Sequence, residues 1–365
     1  MSHNGAQCVT VRTRHGCFLW HRARLCDNGG AEVNLHGPLL SAPLRERALF
    51  WANRLPFGAV ARLLEEMSGV PVLSEDGVWR LVQRQAQVLD AAQGQAIRAN
   101  AECPEPHYKA PDELCLYASE SPEFVVMTDG IGVKAQKPTR QRATQSRQPK
   151  EEKRHETDVL ILPQPNGGER VLCEGVSGSW SLVEAARSFL QQEWSGAVLP
   201  VVALSDGAAS IRSDLAALFG QGVRIVLDWY HLEKRVYEQL SMVAHSRQER
   251  ESWQKEMLAL LWRGEVEAAR KFLSGLCPRN SKAHHDLLGY LDKHASEIID
   301  YERRQAAGKA IGSGRMEKCV DQVVGYRQKG KGMSWTKKGS RALAMLKVAE
   351  LNARSLSQSL QPLLT

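Results

Sequence analysis

The sequence predicts a mixed α/β core that is interrupted by an all-helical block and preceded by a small β element and a helical pair. Three observations carry this. Five strand-like runs alternate with helical segments between residues 123 and 231. From 232 to 307 the apolar spacing is helical almost throughout, and after 308 a glycine-bounded helix start and a final helix complete the chain.

Composition sets the frame. The chain has 365 residues, 43% hydrophobic and 24% charged, which excludes collagen-like, disulfide-scaffold and wholly disordered chains. Its length allows two or three packed cores. Apolar runs such as Ala197 to Leu204 fall far below the ~20 residues of a membrane span, so no membrane partner is expected. The N-terminus carries no apolar stretch with a cleavage site, and the expected location is the cytoplasm. Lys and Arg number 48 against 41 acids, a formal +7 that suits a polyanionic partner. The eight cysteines (Cys8, Cys17, Cys26, Cys103, Cys115, Cys173, Cys277, Cys319) include no Cys-x-x-Cys pair, so reduced thiols are the default. Cys8, Cys17 and Cys26 with His15 and His21 can be read as a metal knuckle, but the alternation in VTVRTR favours a hairpin.

Residues 1–40 read as short strands, VTVRTR and CFLWHRARL, parted at His15-Gly16 and closed by Asp27-Asn28-Gly29-Gly30. Residues 41–102 turn helical, with a break at Ser68-Gly69-Val70-Pro71. The first helix of this pair starts at Pro56 and buries Val60, Leu63 and Leu64. Ser74 caps the second, Glu75 and Asp76 sit in its first turn, and Arg80 and Arg84 are exposed. As a helix-turn-helix, the pair would bring both arginines to the major groove; an ordinary helical hairpin is the alternative. The prolines of 103–122 predict a stiff linker. Between Lys134 and Arg154 lie eight basic residues and almost nothing apolar, either a solvated loop or an arm that neutralises phosphates. The clearest break in the helical block is Cys277-Pro278-Arg279-Asn280.

Two aspartates share one setting. Asp129 follows FVVMT, Asp206 follows VVALS, and glycine follows each. Either alone reads as a turn; together, at the carboxyl ends of neighbouring strands, they would converge on one sheet edge, where carboxylates hold Mg²⁺ against a phosphate. The third acid proposed is Glu317, on the helix opened by Ile311-Gly312-Ser313-Gly314, with Arg315 and Lys318 beside it. Between Lys309 and Lys347 ten basic residues face only Glu317 and Asp321, a positive field suited to a polyanion, although a helical Glu is commonly just solvated.

The combination of VVMTDGIGV, VALSDGA, VLDWYH and IGSGRMEKCVDQVVGYRQKGKGMSW resembles bacterial insertion-sequence transposases of the DDE type, in the ISKra-like branch. The resemblance covers most of the chain and implies a ribonuclease-H-like core from 123 to 231, an all-helical insertion at 232–307, and core completion with a basic C-terminal helix at 308–365. It makes Asp129, Asp206 and Glu317 both the catalytic triad and the metal ligands. It adds an Asp-x-x-His element, Asp228 and His231, in an accessory role: His231 would orient DNA or another carboxylate, or simply cap a helix and pack at a strand end. It also implies that Arg327, Lys329 and Lys331 hold phosphates and that Trp335 stacks near a base, with core packing equally open for Trp335. The basic stretch after Asp129 is longer and more polar than the family pattern.

The implied activity is Mg²⁺-dependent cleavage and strand transfer at the terminal inverted repeats of an insertion sequence, with two Mg²⁺ ions, or Mn²⁺ in their place. In-line attack on phosphodiesters would use first water and then a 3′-hydroxyl. Holding two DNA ends implies a homodimer or larger assembly. The alternatives are a catalytically inactive DNA-binding regulator or domesticated remnant, and a metal-dependent nuclease that cuts without joining.

Overall fold

The computed structural model describes residues 7–22, 39–137 and 153–353. Strands β1 (Gln7–Thr13) and β2 (Gly16–Arg22) form the expected hairpin, turning over Arg14 and His15. The short β3 (Leu39–Leu40) adds to β1 in parallel. The turn expected at 27–30 lies outside the described residues.

Three helices follow: α1 (Ala42–Ala52), α2 (Phe57–Ser68) and α3 (Glu75–Asn100). Gly69 ends α2 in the left-handed conformation at φ +73°, and the Ser74 hydroxyl caps α3 by accepting the Gly77 N–H at 3.1 Å. Val60 and Leu64 are buried against Val78, Leu81 and Val82, while Leu63 stays half-exposed. At 26 residues α3 is about 39 Å long and outgrows the expected pair. Ala342, Leu343 and Leu346 near the C-terminus complete its core, so the helical region is not self-contained. Farther along, the buried Asp90 accepts the Val176 N–H at 2.9 Å, and Trp180 Nε1 donates to the Asp90 carbonyl.

The proline-rich segment is a strap packed on the core. Strand β4 (His107–Tyr108) leads to a 3₁₀ turn at Pro111–Glu113, and Leu116 is buried. Arg304, fully buried, forks onto Glu123 with two 2.8 Å bonds and also donates to the Leu116 carbonyl, while Lys309 reaches Glu123 and the Cys115 carbonyl. These bonds fasten to the core a segment read from its prolines as a stiff linker.

The central sheet contains β5 (Phe124–Lys134), β6 (Arg154–Pro163), β7 (Glu169–Cys173), β9 (Val201–Ser205) and β10 (Val223–Leu227) in the order β10-β9-β5-β6-β7. Strands β5, β6 and β7 form an antiparallel meander; β9 and β10 run parallel to β5. A two-residue strand, β8 (Val198–Leu199), precedes β9 and pairs with β4. On one face, α4 (Leu182–Glu193) and α5 (Ala209–Phe219) cover Phe124, Val126, Leu160 and Leu162. Alternate residues, Met127, Ile131, Val159 and Ile161, point to the other face and its helices.

Five helices form the block between sheet and C-terminus: α6 (Trp229–Val243), α7 (Arg247–Trp262), α8 (Val266–Ser274), α9 (Ser281–Lys293) and α10 (Tyr301–Ala306). Asn280 caps α9, matching the expected break. Leu232, Val236 and Leu240 pack with Met257, Leu261, Leu287 and Leu291. Trp229, Trp262 and Tyr301 fasten the block to the sheet, and Tyr301 donates to the Leu227 carbonyl at 2.9 Å. The chain then runs through α11 (Gly314–Val320), a π-helical turn at Asp321–Gly325, α12 (Tyr326–Gln328) and α13 (Lys337–Asn352). Among the described residues no helix is long and apolar enough to cross a membrane.

Candidate active site at the sheet edge

Parallel register brings three aspartates to neighbouring strands. Met127 pairs with Leu204, and Ser205 with Leu227, so Asp129, Asp206 and Asp228 lie just past the parallel-paired stretches of β5, β9 and β10. Asp206 and Asp228 directly follow their strands. Asp129 does not end its strand, as the Asp-Gly pair suggested: antiparallel pairing with β6 carries β5 on to Lys134. Asp129 shares the sheet face of Met127 and Ile131, which α11 covers with Met316, Cys319 and Val320. Gly207, at φ +85°, must be glycine for a second reason: a Cβ there would lie 2.3 Å from the ring of the buried His294.

The carboxylates differ in what satisfies them. Asp129 Oδ1 accepts the Gly130 N–H at 2.8 Å, and Asp206 Oδ1 accepts the Ala208 N–H at 2.8 Å. Asp228 is buried and occupied on both sides. Its Oδ1 takes the Tyr230 and His231 N–H groups at the start of α6, and its Oδ2 takes the N–H and hydroxyl of Ser313, just before α11. His231 Nδ1 stands 3.6 Å from the same carboxylate. Burial pushes the Asp228 carboxyl up, but the bonds from His231 and Ser313 outweigh it and hold the group at about 2.

Asp228 thereby fixes the start of the helix that carries Glu317, itself exposed on α11. Electrostatics shows that the acids share one neighbourhood. The Asp129 carboxyl is held above its ordinary range by burial first, then by the negative charge of Asp206, with a further push from Glu317; the Gly130 N–H and His231 oppose this. His231 is held above its ordinary value by its Asp228 partner against the effect of burial, and Asp206 and Glu317 add to the rise. An oxygen-only set of this kind fits a hard divalent cation by donor chemistry. Its spacing is open, since among the described residues no three His, Cys, Asp or Glu side chains form a ready-made ion cage.

The proposed DNA contacts divide. Arg80 and Arg84 are exposed on α3, Arg80 paired with Asp76 at 2.8 Å. Arg315 is exposed and pairs with Glu169 at 2.6 Å; Lys318, Lys329 and Lys331 are exposed too. Arg327 is not available to a phosphate. It is buried, donates to the Ala52 carbonyl at 2.8 Å, and lies over the Phe57 and Trp335 rings, with burial lowering its pKa to about 10. Trp335 is likewise taken up by packing: its Nε1 donates to the Gln328 carbonyl, and its backbone exchanges hydrogen bonds with Lys134 and Gln136. The basic stretch is described only at its ends, Lys134–Lys137 and Lys153–Arg154.

Sequence reasoning missed two features. The buried His294 and Glu297 and the half-buried Arg212 form a cluster against the loop after Asp206, with Glu297 accepting from Arg212 at 2.7 Å. Asp158, paired opposite Gly130 and so on the other sheet face from Asp129, is pushed up to about 6 by burial and then by neighbouring acids. Neither carries a local signal, since both depend on register or on contacts distant in sequence. The sequence matches no protein-family model and no curated protein.

Proposed function

We propose that this chain is a DNA transposase of the DDE type, built on a ribonuclease-H-like core and acting on the ends of an insertion sequence. The observation that carries the reading is the strand register that brings Asp129 and Asp206 to one end of the sheet, with Asp129 raised by burial first and then by the charges of Asp206 and, last, Glu317. The sheet supports it: numbered within the core, β10-β9-β5-β6-β7 is 5-4-1-2-3, an antiparallel meander with two further parallel strands. The helical block between β10 and α11 occupies the interval that separates the second and third acids.

Asp129, Asp206 and Glu317 would hold two Mg²⁺ ions, or Mn²⁺ in their place. Bound there, the ions supply Lewis-acid stabilisation of phosphate oxygens in an in-line displacement. The chain's own part is placement. Asp228 locks the start of α11 to the end of β10, His231 sets its ring between Asp228 and the other acids, and Lys318, Lys329 and Lys331 offer phosphate contacts. Arg80 and Arg84, on the second helix of the α2–α3 pair, would recognise the terminal repeats, and two copies of the chain would hold the two ends.

The test is cleavage and strand transfer with labelled DNA from the flanks of the coding sequence, where the ends of such an element would lie, comparing wild type with Asp206→Asn. Wild type should cut and join with Mg²⁺; the variant should bind the same DNA and cut none of it. Unchanged cutting by the variant removes Asp206 from the mechanism. The open spacing of the acids favours one other reading, a DNA-binding regulator without catalysis, and tight binding with no cutting by wild type would establish it. Cutting without joining would instead mark a nuclease on the same fold.

A further inference from the structure

Trp335 is occupied by packing, yet another aromatic ring stands free at the edge that holds the acids. Tyr230 follows Asp228 by two residues, and its N–H is fixed to the Asp228 carboxylate at 2.7 Å. Its ring packs directly on the backbone of Gly312, where a Cβ would lie 2.5 Å from Cδ2 and 2.7 Å from Cε2. Any other residue at 312 would displace the ring. It is held from one side and still 55% exposed. Tyr237, 44% exposed, lies two turns farther along the same side of α6, and Lys234 is exposed between them. The opposite stripe of α6, Leu232, Val236, Leu240 and Val243, is buried in the helical block.

From these positions we infer that Tyr230, Lys234 and Tyr237 form a track for single-stranded DNA, leading away from the acid edge along α6. The inference rests on the reading of the chain as a DNA-processing enzyme. The chemistry selects an unpaired strand: base faces inside a duplex are already stacked, whereas an exposed ring offers a sequence-tolerant platform to a free base, and a lysine between two rings meets the phosphate. Tyr230 and Tyr237 are about 10 Å apart along the helix. Strand opening at the cut site would deliver such a base beside Tyr230.

The test uses the full-length protein without divalent metal. The probes are a 20-nucleotide oligothymidylate carrying one 2-aminopurine and a blunt 20-base-pair duplex. Wild type should quench the 2-aminopurine emission, and Tyr230→Phe should quench it equally. Tyr230→Ala should lose the quench and bind the single strand about tenfold more weakly, with duplex affinity and thermal midpoint unchanged. Tyr237→Ala should give a smaller loss of the same kind. Equal quenching by wild type and Tyr230→Ala overturns the track, as does a parallel loss on both probes. If wild type binds duplex but not single strand, the track falls and the DNA-processing reading stands. If it binds neither, both fall.

Discussion

Asp228 and Asp129 lie at the same edge of one sheet, two strands apart, and the fold treats them in opposite ways. Around Asp228, two helix starts supply donors to both carboxylate oxygens, and His231 stands 3.6 Å away. Asp129 has one backbone donor, partial burial and two acids for neighbours. Asp228 holds the fold together, whereas Asp129 is a charge the fold holds at some cost. The same contrast separates Glu123, clasped by Arg304 and Lys309, from the exposed Glu317. An acid supplied with partners reads as architecture, and an acid placed among other acids reads as a site waiting for positive charge.

Six substitutions probe this division and the basic residues around it. Glu123→Gln leaves the fully buried Arg304 without a countercharge and should cost about 3–5 kcal/mol in urea unfolding. A loss below about 1 kcal/mol would show that the clasp is not structural. Asp228→Asn turns an acceptor-only group into one with donors facing donors, and should cost about 3 kcal/mol. Its pH dependence has a definite sign. The folded carboxyl sits at about 2, below its ordinary 3.8, so its contribution is complete above about pH 4 and fades as pH falls through 2. Wild type and variant should therefore converge in stability in strong acid; a constant gap would refute the assignment.

Arg327→Lys removes the planar group held by Phe57, Trp335 and the Ala52 carbonyl, and should cost about 1–2 kcal/mol without altering the salt dependence of DNA binding. Lys329→Ala and Lys331→Ala should behave in reverse, each lowering the salt slope by about 1 while stability stays constant. Among the acids, Asp129→Asn should give the smallest stability change, and with the opposite sign. Because the folded carboxyl is raised, its ionised form opposes folding at neutral pH, and that penalty vanishes as pH falls through the folded pKa toward the unfolded one. The variant should be more stable than wild type at pH 7, by about 0.5–1 kcal/mol, and should lose the advantage in acid. A destabilised variant would place Asp129 with Asp228.

Much of the fold was legible because apolar period and caps are local signals. The five strands, the Ser74 cap, the break before α9 and the glycine-bounded start of α11 all follow from neighbouring residues. The strap at 103–122 was read as a linker because its partners, Arg304 and Lys309, lie almost two hundred residues onward. Arg327 looked free because a glycine-rich basic loop reads as exposed, while the Ala52 carbonyl that binds it is 275 residues away. At the candidate site the types and order of the acids were visible. That Asp228 is pinned while Asp129 is repelled was not, since it depends on donors brought by two separate helices.

The most direct measurement is anomalous diffraction from crystals soaked in Mn²⁺. Manganese should appear between Asp129 and Asp206, with the Glu317 side chain turned in from solvent toward it, and Asp228 should keep its bonds to Ser313 without touching the ion. Manganese absent from these acids, or bound with Glu317 still pointing to solvent, would contradict the claim that the three form one metal-dependent centre.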